Sequence, residues 1–210
     1  MPQSHKNTPK PPPQPTAEDA APYRTLASRT IWQSRWYALR EDQVRFPDGS
    51  QGTYTVVEKD AAVYVVPLTA DGQMVLLRNY RYTVDRWLWE VPAGGVQPGV
   101  EPEEMARREL REEAGGRAER LQRVGSFYTM PGIGTEIIHV YVAYGVALGE
   151  PDREPSEVME CHVVPLADAL RMASKGEMGD GLSTLAILAS MPYLKADNTA
   201  PESSGDGTGQ

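Results

Sequence analysis

Residues 90–116 read Glu-Val-Pro-Ala-Gly-Gly-Val-Gln-Pro-Gly-Val-Glu-Pro-Glu-Glu-Met-Ala-Arg-Arg-Glu-Leu-Arg-Glu-Glu-Ala-Gly-Gly. A loop rich in glycine and proline runs into a stretch dense with carboxylates. Pro102 suits a first helical turn and Gly115-Gly116 suits a stop, so a helix is expected from about Glu101 to Ala114. Within it Glu109, Glu112 and Glu113 stand at i, i+3 and i+4, which puts three anions on one small patch. Like charges at this spacing repel, and the negative end of the helix dipole adds to the cost; a bound cation reverses the sign. At about 100° per residue, Glu109 and Glu113 fall beside Met105, Ala106, Leu110 and Ala114, while Glu104, Arg107 and Arg111 occupy the opposite side. The carboxylates therefore border the buried stripe, which argues against a merely solvated charged face.

Working backwards, Trp87 to Val91 reads as a strand ended by Pro92, and Ala93-Gly94-Gly95 as a loop of unusual backbone freedom. Ala61 to Leu68 and Met74 to Tyr82 flank Ala70-Asp71-Gly72, the pattern of a tight hairpin. Arg29 to Trp32, Trp36 to Arg40 and Thr53 to Val57 are short strand-like pieces, with an Asp48-Gly49 turn before the last. Residues 22–58 hold too little apolar material for a core of their own and must pack on the main domain or on a second subunit. Residues 1–21, rich in Pro and Gln, read as a disordered tail, as do residues 196–210.

Working forwards, strands are expected over Leu121 to Tyr128, Glu136 to Ala147 and Val158 to Val164, and helices over Leu166 to Lys175 and Gly181 to Ala189. The main domain is thus expected over residues 59–195. Net charge −8 leaves no electrostatic footprint for nucleic acid. A single cysteine, Cys161, excludes an internal disulfide framework and a multi-cysteine zinc site. No apolar run is long enough to span a bilayer, and the N-terminus lacks a secretory core, so a cytoplasmic protein without a membrane partner is expected. Cys161, His139 and His162 read as packing or rim residues.

Glutamate oxygens are hard donors that suit Mg²⁺ or Mn²⁺, and a metal so held can polarise a phosphoryl oxygen or activate water. The stretch Gly94 to Gly116 resembles the Nudix box, G-x5-E-x7-R-E-U-x-E-E-x-G-U, where U is apolar. Gly94, Arg108, Glu109, Leu110, Glu112, Glu113 and Gly115 match in register. Two positions depart: Val100 stands where the first glutamate belongs, with Glu101 one residue later, and Gly116 stands where an apolar residue is usual. In the family that first glutamate mainly supports the loop and helix.

Roughly residues 25 to 190 are similar to the ADP-ribose pyrophosphatase branch of the Nudix hydrolases. The features that carry this are Arg78-Asn79-Tyr80-Arg81-Tyr82 before Glu90-Val91-Pro92-Ala93-Gly94, Pro131 placed 15 residues after Gly116 (131 − 116), and Glu157-Val158-Met159-Glu160 ahead of Val164-Pro165-Leu166. The resemblance implies an α/β (α+β) fold: a Nudix α/β/α sandwich with a central mixed β-sheet, plus a small N-terminal antiparallel sheet. It implies that Glu109, Glu112 and Glu113, with the Ala93 carbonyl, bind Mg²⁺ (Mn²⁺ as the alternative), and that Arg108 braces the glutamates. The general base would come from the acidic loop, Glu157 first and Glu154 second, with Glu136 the other candidate.

A nucleoside diphosphate substrate would be met by Arg78 and Arg81, because guanidinium groups form paired hydrogen bonds to phosphate, and by Glu90 and Pro131 from the branch's own segments. Strict alternation sends positions 78 and 81 to opposite strand faces, so both act only if the strand bends or ends between them. Trp32 or Trp36 would stack on a base, since in this branch the N-terminal strands cross to a partner subunit, which implies a homodimer. The implied reaction is hydrolysis of ADP-ribose to AMP and ribose 5-phosphate. The alternatives are a nucleoside diphosphate sugar or dinucleotide pyrophosphatase using the same site, and a non-catalytic nucleotide-binding module, which Val100 alone favours.

Overall fold

The structure is a computed structural model that describes residues 21–153 and 158–194. The expected tails, apart from Ala21, and the base candidates Glu154 and Glu157 lie outside the described residues. The chain divides into two units, one ending at Val57 and one beginning at Glu58. No helix among the described residues is long and apolar enough to cross a membrane.

The first unit is a three-stranded sheet in the order β1-β2-β3, with β1 at Arg24–Gln33, β2 at Ala38–Arg45 and β3 at Gln51–Glu58. The Asp48 carboxylate accepts the Ser50 N–H at 2.9 Å and closes the turn before β3. Trp36, expected in a strand, sits instead in the β1–β2 turn, because the Ser34 hydroxyl oxygen accepts the Trp36 N–H at 3.0 Å and the Tyr37 N–H at 3.2 Å. A side chain that takes two backbone donors competes directly with a strand ladder.

In the second unit, β4 (Ala62–Pro67), β5 (Met74–Arg81), β6 (Arg86–Glu90), β7 (Ala93–Gly95) and helix α1 (Pro102–Ala114) follow in order. Then come β8 (Gly116–Arg117), β9 (Arg120–Tyr128), β10 (Ile137–Tyr144), β11 (Ala147–Leu148), β12 (Met159–Val164), α2 (Leu166–Ser174) and α3 (Gly181–Ser190). The central sheet runs β7-β4-β10-β9 and is mixed: β10 pairs parallel with β4 and antiparallel with β9. A second sheet runs β12-β5-β6, and β11 pairs with β8.

The expected hairpin between β4 and β5 is only a turn. The Thr69–Gln73 and Leu68–Met74 contacts close it, after which β4 and β5 leave for different sheets. Both strands are apolar on both faces, the pattern of strands covered on each side. Val63 and Val65, with Val75 and Leu77, join Met105, Ala106, Leu110 and Ala114 of α1 in one core cluster. Ala62 and Val66, with Met74 and Leu76, join Ala169, Met172 and Ala173 of α2 and Ala186 and Ile187 of α3 in the other. Alternation along β10 does the same, sending Tyr141 and Ala143 to the first cluster and Ile138, Val140 and Val142 to the second. Each fully buried Val, Leu, Ile or Met side chain among them contributes roughly 1.5–3 kcal/mol. The mixed sheet is therefore clamped between a helix on one side and two on the other, the expected α/β/α sandwich.

Candidate active site

Helix α1 buries the stripe Met105, Ala106, Leu110 and Ala114, and Glu113 is buried with them at 8 % exposure. A buried carboxylate must be hydrogen-bonded, and Glu113 Oε2 accepts the Ala93 N–H at 2.8 Å. Ala93 to Gly95, expected as a free loop, is instead strand β7, paired antiparallel with β4 through Ala62↔Gly95 and Tyr64↔Ala93. The left-handed residue of this stretch is Gly99, φ +81°. What the glycine at 94 provides is space: a Cβ there would overlap the Glu109 carboxyl group. Glu109 and Glu113, two of the three glutamates singled out on α1, thus lie directly against the β7 backbone.

Glu112 is held differently. Its Oε1 accepts Arg108 Nε at 2.9 Å and Arg111 Nη2 at 3.2 Å. The hydrogen bond from Arg108 to Glu112, followed by the Glu112 charge, raises the Arg108 pKa above its ordinary value. Arg108 Nη1 also reaches Gln97 Oε1 at 3.2 Å, tying the 96–101 loop back to the helix. Among the described residues no three carboxylate, imidazole or thiol groups stand together as a ready-made cage. Val100 packs, half-buried, against the α1 core cluster, and its N–H donates to the Gln97 carbonyl at 3.1 Å. Apolar packing thus anchors the loop at this position.

Beside this helix, the buried Glu90 carboxylate accepts Arg81 Nε at 2.7 Å, Arg81 Nη2 at 2.6 Å and Asn79 Nδ2 at 3.2 Å. The Glu90 hydrogen bonds, followed by the fields of Glu90 and Glu113, raise the Arg81 pKa against the opposing effect of burial. Tyr64 is pushed above the usual phenol range by burial and by Asp180, Glu136 and Glu90, so its hydroxyl stays protonated. Arg78 does not join this group. The β5–β6 ladder runs without a register shift from Leu77↔Glu90 to Arg81↔Arg86, so Arg78 and Arg81 occupy opposite faces. Arg78 lies over the Trp87 and Trp89 rings, 5.9 and 5.8 Å from their centroids.

Glu136 is buried beside β10, where it pairs with Lys59 and accepts Thr129 Oγ1 at 3.0 Å. Pro131 lies exposed in the turn that the Ile133 and Gly134 N–H groups close onto the Met130 carbonyl. Trp32 and Trp36, in the first unit, are 48 % and 66 % exposed; Trp32 packs on Tyr37 and Trp36 carries the Arg35 guanidinium.

Sequence reasoning missed three participants. Gln97 and Asn79 are neutral residues whose roles depend on partners 11 residues away in sequence. Arg153 lies within the acidic loop, and its donation of Nε to the Glu113 carbonyl at 2.7 Å joins that loop to the glutamate helix. A lone arginine in a run of acids was the signal available for it.

The chain matches the family described as NUDIX domain over residues 58–183, and the nucleoside diphosphate sugar hydrolase N-terminal domain over residues 23–57. It is 34 % identical over 166 residues to an ADP-ribose pyrophosphatase of Bacillus subtilis, covering 78 % of this chain and 90 % of that protein. It is 36 % identical over 170 residues to an ADP-ribose pyrophosphatase of Mycobacterium tuberculosis, covering 80 % and 82 %. A solved structure described as an ADP compounds hydrolase shares the fold at a TM-score of 0.76 and 21 % identity, over 86 % of this chain and 98 % of that one. The glutamate helix laid against β7 and these matches over most of the chain have one reading: the chain belongs to the Nudix family and is a Nudix hydrolase.

Proposed function

We propose that this hydrolase cleaves the diphosphate of ADP-ribose with water, giving AMP and ribose 5-phosphate. The observation that carries the reading is the approach of α1 to β7, with Glu113 Oε2 on the Ala93 N–H at 2.8 Å and the Glu109 carboxyl group in the space above Gly94. Three carboxylates and the Ala93 carbonyl are hard oxygen donors, a set that fits Mg²⁺ or Mn²⁺ better than a softer ion. When bound, such a cation supplies Lewis-acid polarisation of the diphosphate and a more acidic water. Glu109, Glu112 and Glu113 would hold it, Glu112 giving up part of its pairing with Arg108 to do so.

Arg81, oriented by Glu90 and half-exposed, would take a phosphate oxygen with its guanidinium. Glu157 remains the first candidate for the base, followed by Glu154. Glu136 is the weakest, because its carboxylate is already engaged by Lys59 and Thr129. The N-terminal strands supply Trp32 or Trp36 to the site of a partner subunit in a homodimer.

The relatives named as ADP-ribose pyrophosphatases support ADP-ribose as substrate. A nucleoside diphosphate sugar is the second reading, favoured by the N-terminal family match. Comparison of kcat/KM on ADP-ribose, GDP-mannose and NADH decides between them, and a clear preference for either of the latter refutes the first. Glu109→Gln and Glu113→Gln are expected to lose turnover by a factor of 10² or more while keeping the wild-type circular dichroism, in line with the roughly 10²–10³-fold cost of losing one strong electrostatic contact to a transition state. Hydrolysis near the wild-type rate by these variants would refute the site.

A further inference from the structure

The last carbonyls of a helix have no partner within it, and those of α1 are met in succession by later parts of the chain. Arg111 O accepts the Gly115 N–H at 3.0 Å, Glu112 O accepts the Asp152 N–H at 2.9 Å, and Glu113 O accepts Arg153 Nε at 2.7 Å. Ala114 O accepts the Cys161 thiol at 3.9 Å. The same Arg153 guanidinium donates Nη1 to the Met159 carbonyl, also at 2.7 Å. Met159 opens β12 and is paired with Asn79, whose side chain holds Glu90, the partner of Arg81.

One planar cation therefore bonds at once to the backbone of a site glutamate and to the strand beside the substrate-facing arginine. Its two donors point in fixed directions, a geometry that a lysine cannot reproduce. Its charge sits at the negative end of the helix dipole, where the glutamates gather and where a cation is stabilising.

We propose that Arg153 is a positioning residue for the glutamate site: by bonding the Glu113 and Met159 carbonyls together it fixes the last turn of α1, and with it the Glu113 carboxylate, for metal binding. This rests on the reading of Glu113 as a metal ligand. The side chain acts through the backbone of Glu113 and needs no contact with substrate.

The test is Mn²⁺ binding without substrate, followed by the electron paramagnetic resonance of the free ion, in wild type, Arg153→Met, Arg153→Lys and Glu113→Gln. Loss of an outer partner of a metal ligand costs on the order of tenfold or more in affinity or rate. Arg153→Met is therefore expected to weaken Mn²⁺ by about that factor and to lower kcat with KM for ADP-ribose little changed. Arg153→Lys, which keeps the charge without the planar fork, is expected to fall between Arg153→Met and wild type. Wild-type Mn²⁺ affinity and kcat in a folded Arg153→Met overturn the proposal. If that variant does not fold, wild-type Mn²⁺ affinity in Arg153→Lys overturns it instead. Glu113→Gln separates the two readings: Mn²⁺ binding unchanged there refutes the metal assignment and this inference with it, whereas loss there alone refutes only the role of Arg153.

Discussion

A methyl group added at Gly94 would occupy the space of the Glu109 carboxyl group. Gly94→Ala must therefore move Glu109, the β7 backbone, or both. Displacement of a catalytic group by about 1 Å can cost 10²-fold in rate, so with Glu109 in its proposed role a fall in kcat on that order is expected, while the thermal midpoint stays close to wild type. Gly95→Ala is the control, since nothing stands within 4 Å of its added Cβ; equal kcat values in the two variants would contradict the role given to the close approach. At this scale the site was readable where spacing determines it. Glu109 and Glu113 border the buried stripe because helical geometry leaves them no other place, and Arg78 and Arg81 part because strand geometry does. What could not be read was contact across long separations: the Arg81–Glu90 bidentate pair, the Gln97 brace on Arg108 and the Arg153 bond to Glu113 depend on how β5, β6 and the loop before β12 are brought together.

The glutamate helix ends at Gly115, which has φ +66° and lies so close to Gly149 that a Cβ would overlap the Gly149 carbonyl oxygen. Gly72 has a similar φ of +78° but open space around it. Substitution by Ala at Gly72 costs the left-handed conformation alone, about 1–2 kcal/mol. At Gly115 the overlap adds to it, for a total on the order of 2–5 kcal/mol. Urea denaturation of both variants measures the difference, and equal midpoints would show that the 149–150 backbone yields freely to α1. The turn at Gly72 also shows where element-level reading stops. Asp71-Gly72 announces a reversal of direction, which is present, but the run Met74 to Leu77 is buried on both faces and carries no alternation to say which sheet it joins. The hydrogen-bonding partner of such a strand is set by the whole layered arrangement, with α1 claiming one face and α2 and α3 the other.

Of the described residues before Glu58, only Asp42 and Val44 are buried, and all ten residues of β1 are exposed. Leu26, Ile31, Trp32, Trp36, Tyr37 and Tyr54 are among the exposed apolar side chains of this unit. Three strands with so little of their own core fall below what a sheet needs for independent stability. Exposed apolar side chains in such number suit a surface that meets another chain, and the proposed homodimer would give them that covering. Sedimentation equilibrium is expected to return twice the chain mass of 23.1 kDa. Ile31→Asp places a charge among these exposed apolar side chains and is expected to shift the protein towards monomer. If Trp32 or Trp36 stacks on the base of the substrate bound by the partner, KM for ADP-ribose rises in step with dissociation, whereas Mn²⁺ affinity, which the proposed site draws from α1 and β7, stays unchanged. A monomer that keeps the wild-type KM would remove the N-terminal strands from the site and leave the second unit to bind the substrate alone.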